Sequence, residues 1–274
     1  MNRDVKIVVL DLDGTLTNSK KELTERNKST LIELQKRGVR VVLASGRPTY
    51  GIVPLAQELQ LAEYEGYILS FNGGVIIDCA TNQAIHSTVL PMELIKPLYT
   101  ESKEAGAVIL SYDHEYIITE SPEDIYVGKE AFLNKMAVRK VESFVDVITA
   151  PVPKCLTVGE PEKLISLEER LKSLYGSKMS IYRSEPFFLE LVPLGIDKAN
   201  SLGVLLSHLE CDKESMVAFG DGFNDLSMIE YAGWGVAMSN AQEVVKSRAN
   251  DVALSNDEDG VAEYIERVIF PWLR

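Results

Sequence analysis

The chain has 274 residues, 46% hydrophobic and 25% charged, with a net charge of -13 at pH 7. That length and composition suit a globular chain of one large or two smaller domains, and the negative charge opposes extended contact with nucleic acid. Three cysteines and three histidines, all scattered, argue against a disulfide framework and a thiolate zinc site, so any metal here is expected to use oxygen ligands. No segment carries the basic start and long uncharged core of a signal peptide, and none is long enough to cross a membrane. A cytoplasmic location with no membrane partner is the expectation, and nothing fixes the oligomeric state.

In chain order, Val5 to Leu10 is an apolar, largely β-branched run interrupted only by Lys6, as expected of a strand buried on both faces. It runs into Asp11-Leu12-Asp13-Gly14-Thr15, where two carboxylates precede a residue that permits a sharp turn. Acids at the end of a buried strand are costly unless paired or bound to a cation. Thr24 is placed to cap a helix with Leu31, Ile32 and Leu34 on its apolar face and Gly38 as its stop. Val39 to Ala44 is a second apolar strand ending in Ser45-Gly46-Arg47, and Pro48 opens a helix to about Leu59. Tyr67 to Phe71 is a third strand, closed by Asn72-Gly73-Gly74. Strand–helix–strand alternation at this spacing predicts a parallel sheet with right-handed crossovers.

The rhythm then changes. Short strands are expected at 75–77 and 84–89, a helix at 91–105, a hairpin around Asp113-His114, and a helix at 122–134. A strand at 155–159, a helix at 161–175 and a hairpin formed by 179–183 and 187–192 follow. This is the pattern of an α+β module inserted into the parallel-sheet domain, placed at 85–188, with 1–84 and 189–274 forming the core. The parallel pattern resumes with Asp197 capping a helix whose first turn holds Lys198, an awkward place for a cation because a helix N-terminus is already positive. A surface lysine and a cation aimed at an anion are the two readings. Met216 to Phe219 is a further strand, ending in Gly220-Asp221-Gly222-Phe223-Asn224-Asp225. A strand at 235–238 and helices near 241–247 and 260–268 complete the chain.

Parallel strands point the same way, so Asp11 and Asp13, Ser45, and Asp221 and Asp225 should gather at the carboxyl edge of the sheet, where open α/β sheets bind ligands. Clustered carboxylates repel one another, and a hard dication relieves the conflict. Magnesium suits the set because it takes few protein oxygens and keeps waters and a substrate phosphate. Asp11 and Asp221 are the expected direct ligands and the Asp13 backbone carbonyl a third. Asp225 is either a ligand or an acceptor for metal-bound water. The Asp-x-Asp pair suits phosphoryl transfer. One carboxylate, Asp11, attacks phosphorus to form an aspartyl-phosphate. The other, Asp13, gives a proton to the leaving alkoxide and later takes one from water. The Ser45 hydroxyl, the Gly46 N–H and the Lys198 ammonium are donors for the phosphoryl oxygens, with Asn224 available to orient them.

Asp11-Leu12-Asp13-Gly14-Thr15, Ser45, Lys198 and Gly220–Asp225 resemble, in order, the four motifs of the haloacid dehalogenase superfamily. More narrowly the chain is similar to the Cof-like phosphatases, whose large cap lies between the second and third motifs. The stretches Phe187–Leu191, Gly235–Met238 and Asp259–Ala262 look like that subgroup too. The resemblance implies a magnesium-dependent phosphatase with a Rossmann-like core and an α+β cap. It implies the same roles for Asp11, Asp13, Ser45, Lys198 and Asp221. The leading expectation is hydrolysis of small phosphate monoesters, such as sugar phosphates. The alternatives are a hexose phosphomutase and a non-catalytic protein that binds a phosphorylated metabolite. Dinucleotide binding is disfavoured, since Asp225 stands where the third glycine of that fingerprint belongs. Arg47 is either a phosphate neighbour or a surface residue at a helix start. Tyr112 and His114 are read as solvent-facing, and Phe187-Phe188 as packing. Asn72-Gly73 ends a strand on the active edge, which leaves room for a substrate role beside its turn role.

Overall fold

A computed structural model describes residues 3–273. The chain divides into two compact units, one formed by residues up to His86 together with those from Asp197 onward, the other by Ser87–Ile196.

In the first unit, β1 (Ile7–Leu10), β2 (Arg40–Ala44), β3 (Tyr67–Ser70), β4 (Val75–Asp78) and β5 (Gln83–Ser87) form one side of an eight-stranded sheet. The other side comes from late in the chain. Here β1 pairs in parallel with both β2 and Met216–Gly220, Ile7 lying opposite Arg40 on one side and Met216 on the other. Strand order therefore reverses at β1, and such a reversal opens a crevice at the carboxyl ends of the two flanking strands. The continuous apolar strands are explained by two cores. Val8 and Leu10 join one, while Ile7 and Val9 join the other across the sheet. Helix α1 (Glu25–Lys36) begins where the Thr24 hydroxyl accepts from the Asn27 N–H at 3.2 Å. It ends before Gly38, whose φ of +86° suits glycine. Helix α2 (Thr49–Glu58) follows Pro48.

The second unit begins with α3 (Met92–Glu104) and the hairpin β6 (Val108–Asp113) and β7 (Tyr116–Thr119). Helix α4 (Ile125–Asn134), strand β8 (Ala137–Lys140), the short α5 (Phe144–Val147) and β9 (Cys155–Val158) follow. Helix α6 (Pro161–Tyr175) and the antiparallel pair β10 (Met179–Glu185) and β11 (Phe188–Pro193) complete it. The sheet order is β10-β11-β9-β6-β7-β8. Leu94 and Leu98 of α3 and Leu164, Leu167 and Leu171 of α6 pack with Leu189 and Leu191. Between those two leucines, Glu190 has the opposite parity and joins a buried polar network. It accepts from Lys154 Nζ and Ser184 Oγ, each at 2.7 Å.

Three expectations need correcting here. The second unit does not end at 188, because β11 pairs with β10 and β9 and so belongs to the second sheet. It does not begin at 85, because β5 lies at the edge of the first sheet. Tyr112 does not face solvent: it is buried and its hydroxyl donates to Glu130 Oε1 at 2.6 Å, whereas His114 is exposed as expected.

The first unit resumes with α7 (Lys198–His208), capped by Asp197 accepting from the Ala199 and Asn200 N–H groups. Then come β12 (Met216–Gly220), α8 (Leu226–Tyr231), β13 (Trp234–Met238), α9 (Glu243–Lys246), β14 (Asp251–Ala253) and α10 (Gly260–Tyr264). The helix expected at 260–268 changes to π geometry over Ile265–Ile269. Among the described residues, no helix is long and apolar enough to cross a membrane.

Candidate active site

The ends of β1 and β12 meet on either side of the strand-order reversal, and each carries an acidic turn. Asp11, Asp221 and Asp225 come together there, with one ligand-capable oxygen from each within 4.8 Å of the others. Asp11 is 5% exposed and Asp225 1%. The turn after β1 is drawn tight by Leu16 N–H to Asp11 O and Thr17 N–H to Leu12 O. Gly14, at φ +89°, is where that turn passes the Asp221 carboxylate too closely for any side chain. Thr15 Oγ1 donates to Asp221 Oδ1 at 2.8 Å. In the second turn, Asp225 Oδ2 accepts from the Asp221 and Gly222 N–H groups at 3.0 and 2.9 Å, so the turn is shaped by its own last residue.

Lys198 is fully buried, not a surface lysine. Its Nζ donates to Asp11 Oδ1 and Asp225 Oδ1, both at 2.6 Å, and to Ala44 O at 2.9 Å. All three protons of the ammonium thus have acceptors. Burial works against its charge, but Asp11 and Asp225 outweigh this and push the ammonium pKa up. Burial pushes the Asp11 carboxyl up to about 8, reinforced by Asp225 and opposed by Lys198. Burial likewise raises Asp221 to about 6, against the Thr15 hydrogen bond and with the charge of Asp225. One lysine therefore does not neutralise three acids, and the remaining charge is what a hard cation would relieve. The all-oxygen donor set would suit a hard cation, and Asp11 and Asp221 are the residues with oxygens that could hold one. Asp225 already gives one oxygen to Lys198 and the other to two backbone N–H groups.

The Asp13 carboxylate lies outside this cluster. Arg47 grips it with two parallel hydrogen bonds, Nε to Oδ2 at 2.8 Å and Nη2 to Oδ1 at 2.6 Å, and Lys21 Nζ adds a contact at 2.8 Å. Burial raises its pKa, but Arg47 and then Lys21 win and hold it below the usual carboxylate range. Arg47 is thus not a free surface residue: it is paired with Asp13. The sequence contained the residues of this clamp, but nothing local tied position 47 to position 13.

Ser45 is buried, and its Oγ accepts from the Arg47 N–H at 3.2 Å. Gly46 lies against the side chain of Asn72. Asn224 is exposed and donates to Asn72 Oδ1 at 3.2 Å. Phe187 and Phe188 pack edge to face at 4.8 Å, and Phe187 stacks on Tyr126 at 5.3 Å, in keeping with a packing role.

A buried nucleophile-capable carboxylate, a lysine beside it and an acidic, Gly-bounded turn at a sheet's reversal point define a hydrolase-type site on an α/β core. The sequence profile of the haloacid dehalogenase-like hydrolases matches residues 8–265, and the chain belongs to that family. A crystal structure of a haloacid dehalogenase-like hydrolase from Bacteroides thetaiotaomicron is similar at a TM-score of 0.95 with 56% identity, covering 96% of this chain and 99% of that one. The candidate phosphatase YxeH of Bacillus subtilis (strain 168) is 31% identical over 96% of this chain and 98% of its own. From the same organism, the 5-amino-6-(5-phospho-D-ribitylamino)uracil phosphatase YcsE is 30% identical over 96% of this chain and 95% of its own.

Proposed function

We propose that the protein is a magnesium-dependent phosphatase of small phosphate monoesters that works through an aspartyl-phosphate on Asp11. The observation that carries this reading is the placement of Lys198 between Asp11 and Asp225 beside Asp221. A carboxylate is held there in a fixed orientation, with the charge deficit of a cation site around it. Membership of a hydrolase family and the names of the relatives support it.

In this reading an Asp11 oxygen attacks phosphorus and the P–O ester bond breaks. The leaving alkoxide takes a proton from Asp13. Water then attacks the aspartyl-phosphate, passes a proton to Asp13, and inorganic phosphate leaves with Asp11 restored. Magnesium held by Asp11 and Asp221 would lower the repulsion between the nucleophile and the phosphate dianion. Lys198 fixes the orientation of Asp11 and supplies positive charge beside it. Ser45 Oγ, the Gly46 N–H and Asn224 are the donors for the phosphoryl oxygens. The Arg47–Lys21 clamp favours ionised Asp13, the form required as a base. Service as an acid requires Asp13 to leave the clamp and take up a proton. Three free cysteines suit a reducing, cytoplasmic compartment.

The test is phosphate release from a panel of sugar phosphates, other metabolite monoesters and 5-amino-6-(5-phospho-D-ribitylamino)uracil, with magnesium and with a chelator. Turnover that depends on magnesium and disappears in Asp11→Asn is expected. A properly folded protein inert on the whole panel with magnesium would refute the reading.

A further inference from the structure

Between β3 and β4 the backbone enters the left-handed region three times in succession, with φ of +53° at Phe71, +55° at Asn72 and +97° at Gly73. Glycine accepts this readily and asparagine tolerates it, but a bulky residue such as phenylalanine does so only at a cost. Such conformations persist where the surroundings over-determine them, and they gather at ligand sites. Here several contacts hold the turn. The Phe71 and Asn72 N–H groups donate to Arg47 O at 3.0 Å and Ser45 O at 2.9 Å. Ser201 Oγ, one helical turn beyond Lys198, donates to Gly73 O at 2.8 Å. Asn224 Nδ2 donates to Asn72 Oδ1 at 3.2 Å.

The Asn72 side chain is also wedged against Gly46. A methyl group added at Gly46 would stand 3.2 Å from Asn72 Nδ2 and 3.3 Å from Oδ1. On its other flank, Asn224 Oδ1 would be 2.6 Å from a methyl group added at Gly222. Asn224 is therefore held between Gly222 and Asn72. Three separate segments meet on one strained turn: 45–47, the first turn of α7, and 222–225. Each carries a residue assigned above to the phosphoryl group or to Asp11.

We propose that Asn72 is a positioning residue for the phosphoryl-binding end of the site. Its carboxamide oxygen sets which way the Asn224 amide points, and its bulk sets the Gly46 turn, so that both serve one phosphate. The inference rests on the phosphatase reading and extends it to a residue outside the acidic turns and the lysine helix. It also accounts for an asparagine at a left-handed position: the residue tolerates the backbone and brings a carboxamide that glycine lacks.

Asn72→Gly removes the carboxamide while keeping the backbone freedom, so it separates a side-chain effect from a folding effect. The measurements are kcat, KM and inhibition by inorganic phosphate with a monoester that the wild type hydrolyses, together with thermal melts. They are made for Asn72→Gly, Asn224→Ala and the double variant. Asn72→Gly should melt within a few degrees of the wild type. KM and the phosphate inhibition constant should rise about tenfold while kcat changes less, the size expected for one lost polar contact. The double variant should be little worse than the poorer single one, because Asn72 acts through Asn224. Unchanged KM and phosphate inhibition in Asn72→Gly would overturn the inference, as would fully multiplicative losses. Should the glycine variant fail to fold, Asn72→Asp takes its place. It tolerates the backbone, and its charge should weaken phosphate inhibition; an unchanged constant would overturn the inference. A wild type that hydrolyses no monoester overturns the phosphatase reading together with this inference. An active wild type with an indifferent Asn72 overturns this inference alone.

Discussion

Replacing Lys198 with methionine keeps the length of the side chain but removes an ammonium that donates to Asp11, Asp225 and Ala44 O at 2.6, 2.6 and 2.9 Å. Deleting one partner of a buried ion pair typically costs about 3–5 kcal/mol, because the other charge is left uncompensated. Two carboxylates are left here, but Asp11 can escape by taking up a proton, since burial already pushes it up to about 8. The full penalty therefore belongs to alkaline, metal-free conditions. At about 2–4 °C per kcal/mol for a domain of this size, the melting transition of the first unit should fall by roughly 6–20 °C at pH 8 in a chelator. At pH 5 the loss should be clearly smaller, since protonated Asp11 no longer needs the cation. Thermal melts of both proteins at the two pH values are sufficient. A Lys198→Met protein as stable as the wild type at pH 8 would refute the reasoning. So would a penalty that does not shrink on acidification.

The wild type without metal should lose stability as pH rises. Asp221 and Asp11 bind a proton more tightly folded than unfolded, so the folded state is favoured near pH 4. That advantage is lost towards about 6 for Asp221 and about 8 for Asp11. Magnesium should restore stability at the alkaline end, and a flat melting series in chelator would contradict this. Asp13 has the opposite sign: its lowered pKa gives stability that disappears only as pH falls below the ordinary carboxylate value. Gly14→Ala would force a side chain into the Asp221 carboxylate at φ +89°, and titration of activity should show magnesium affinity reduced about 10–100-fold. Arg47→Ala should remove the partner that keeps Asp13 ionised and in place as the base, and lower kcat about 10–100-fold with little change in KM, because the loss falls on the water-attack step and not on binding.

Most of the site was legible because its chemistry sits in short contiguous turns at strand ends. Asp11 and Asp13, Ser45 and Asp221 each follow an apolar run that names itself as a buried strand, and parallel pairing then brings those runs to one edge. Lys198 was conspicuous because a lysine in a helix's first turn contradicts the local electrostatics. What stayed hidden was long-range and side-chain in origin. The pairing of Arg47 with Asp13 spans 34 positions and leaves no periodic trace. The division of the Asp225 carboxylate between Lys198 and its own turn depends on rotamers, not spacing. The strands β8 and β14, of four and three residues, are too short to show alternation. The boundary at 188 cuts through the hairpin of 179–183 and 187–192, whose second strand pairs along its length with the second sheet.

The role of Asp11 as the attacking group is tested most directly by trapping its product. Enzyme turning over a good monoester with magnesium would be quenched in acid, digested and examined by peptide mass spectrometry, with Asp11→Asn treated in parallel. A phosphoryl group on the peptide that contains Asp11, absent from the variant along with turnover, is the predicted result. Undiminished turnover in Asp11→Asn, or a phosphoryl group carried by a different residue, would contradict the account.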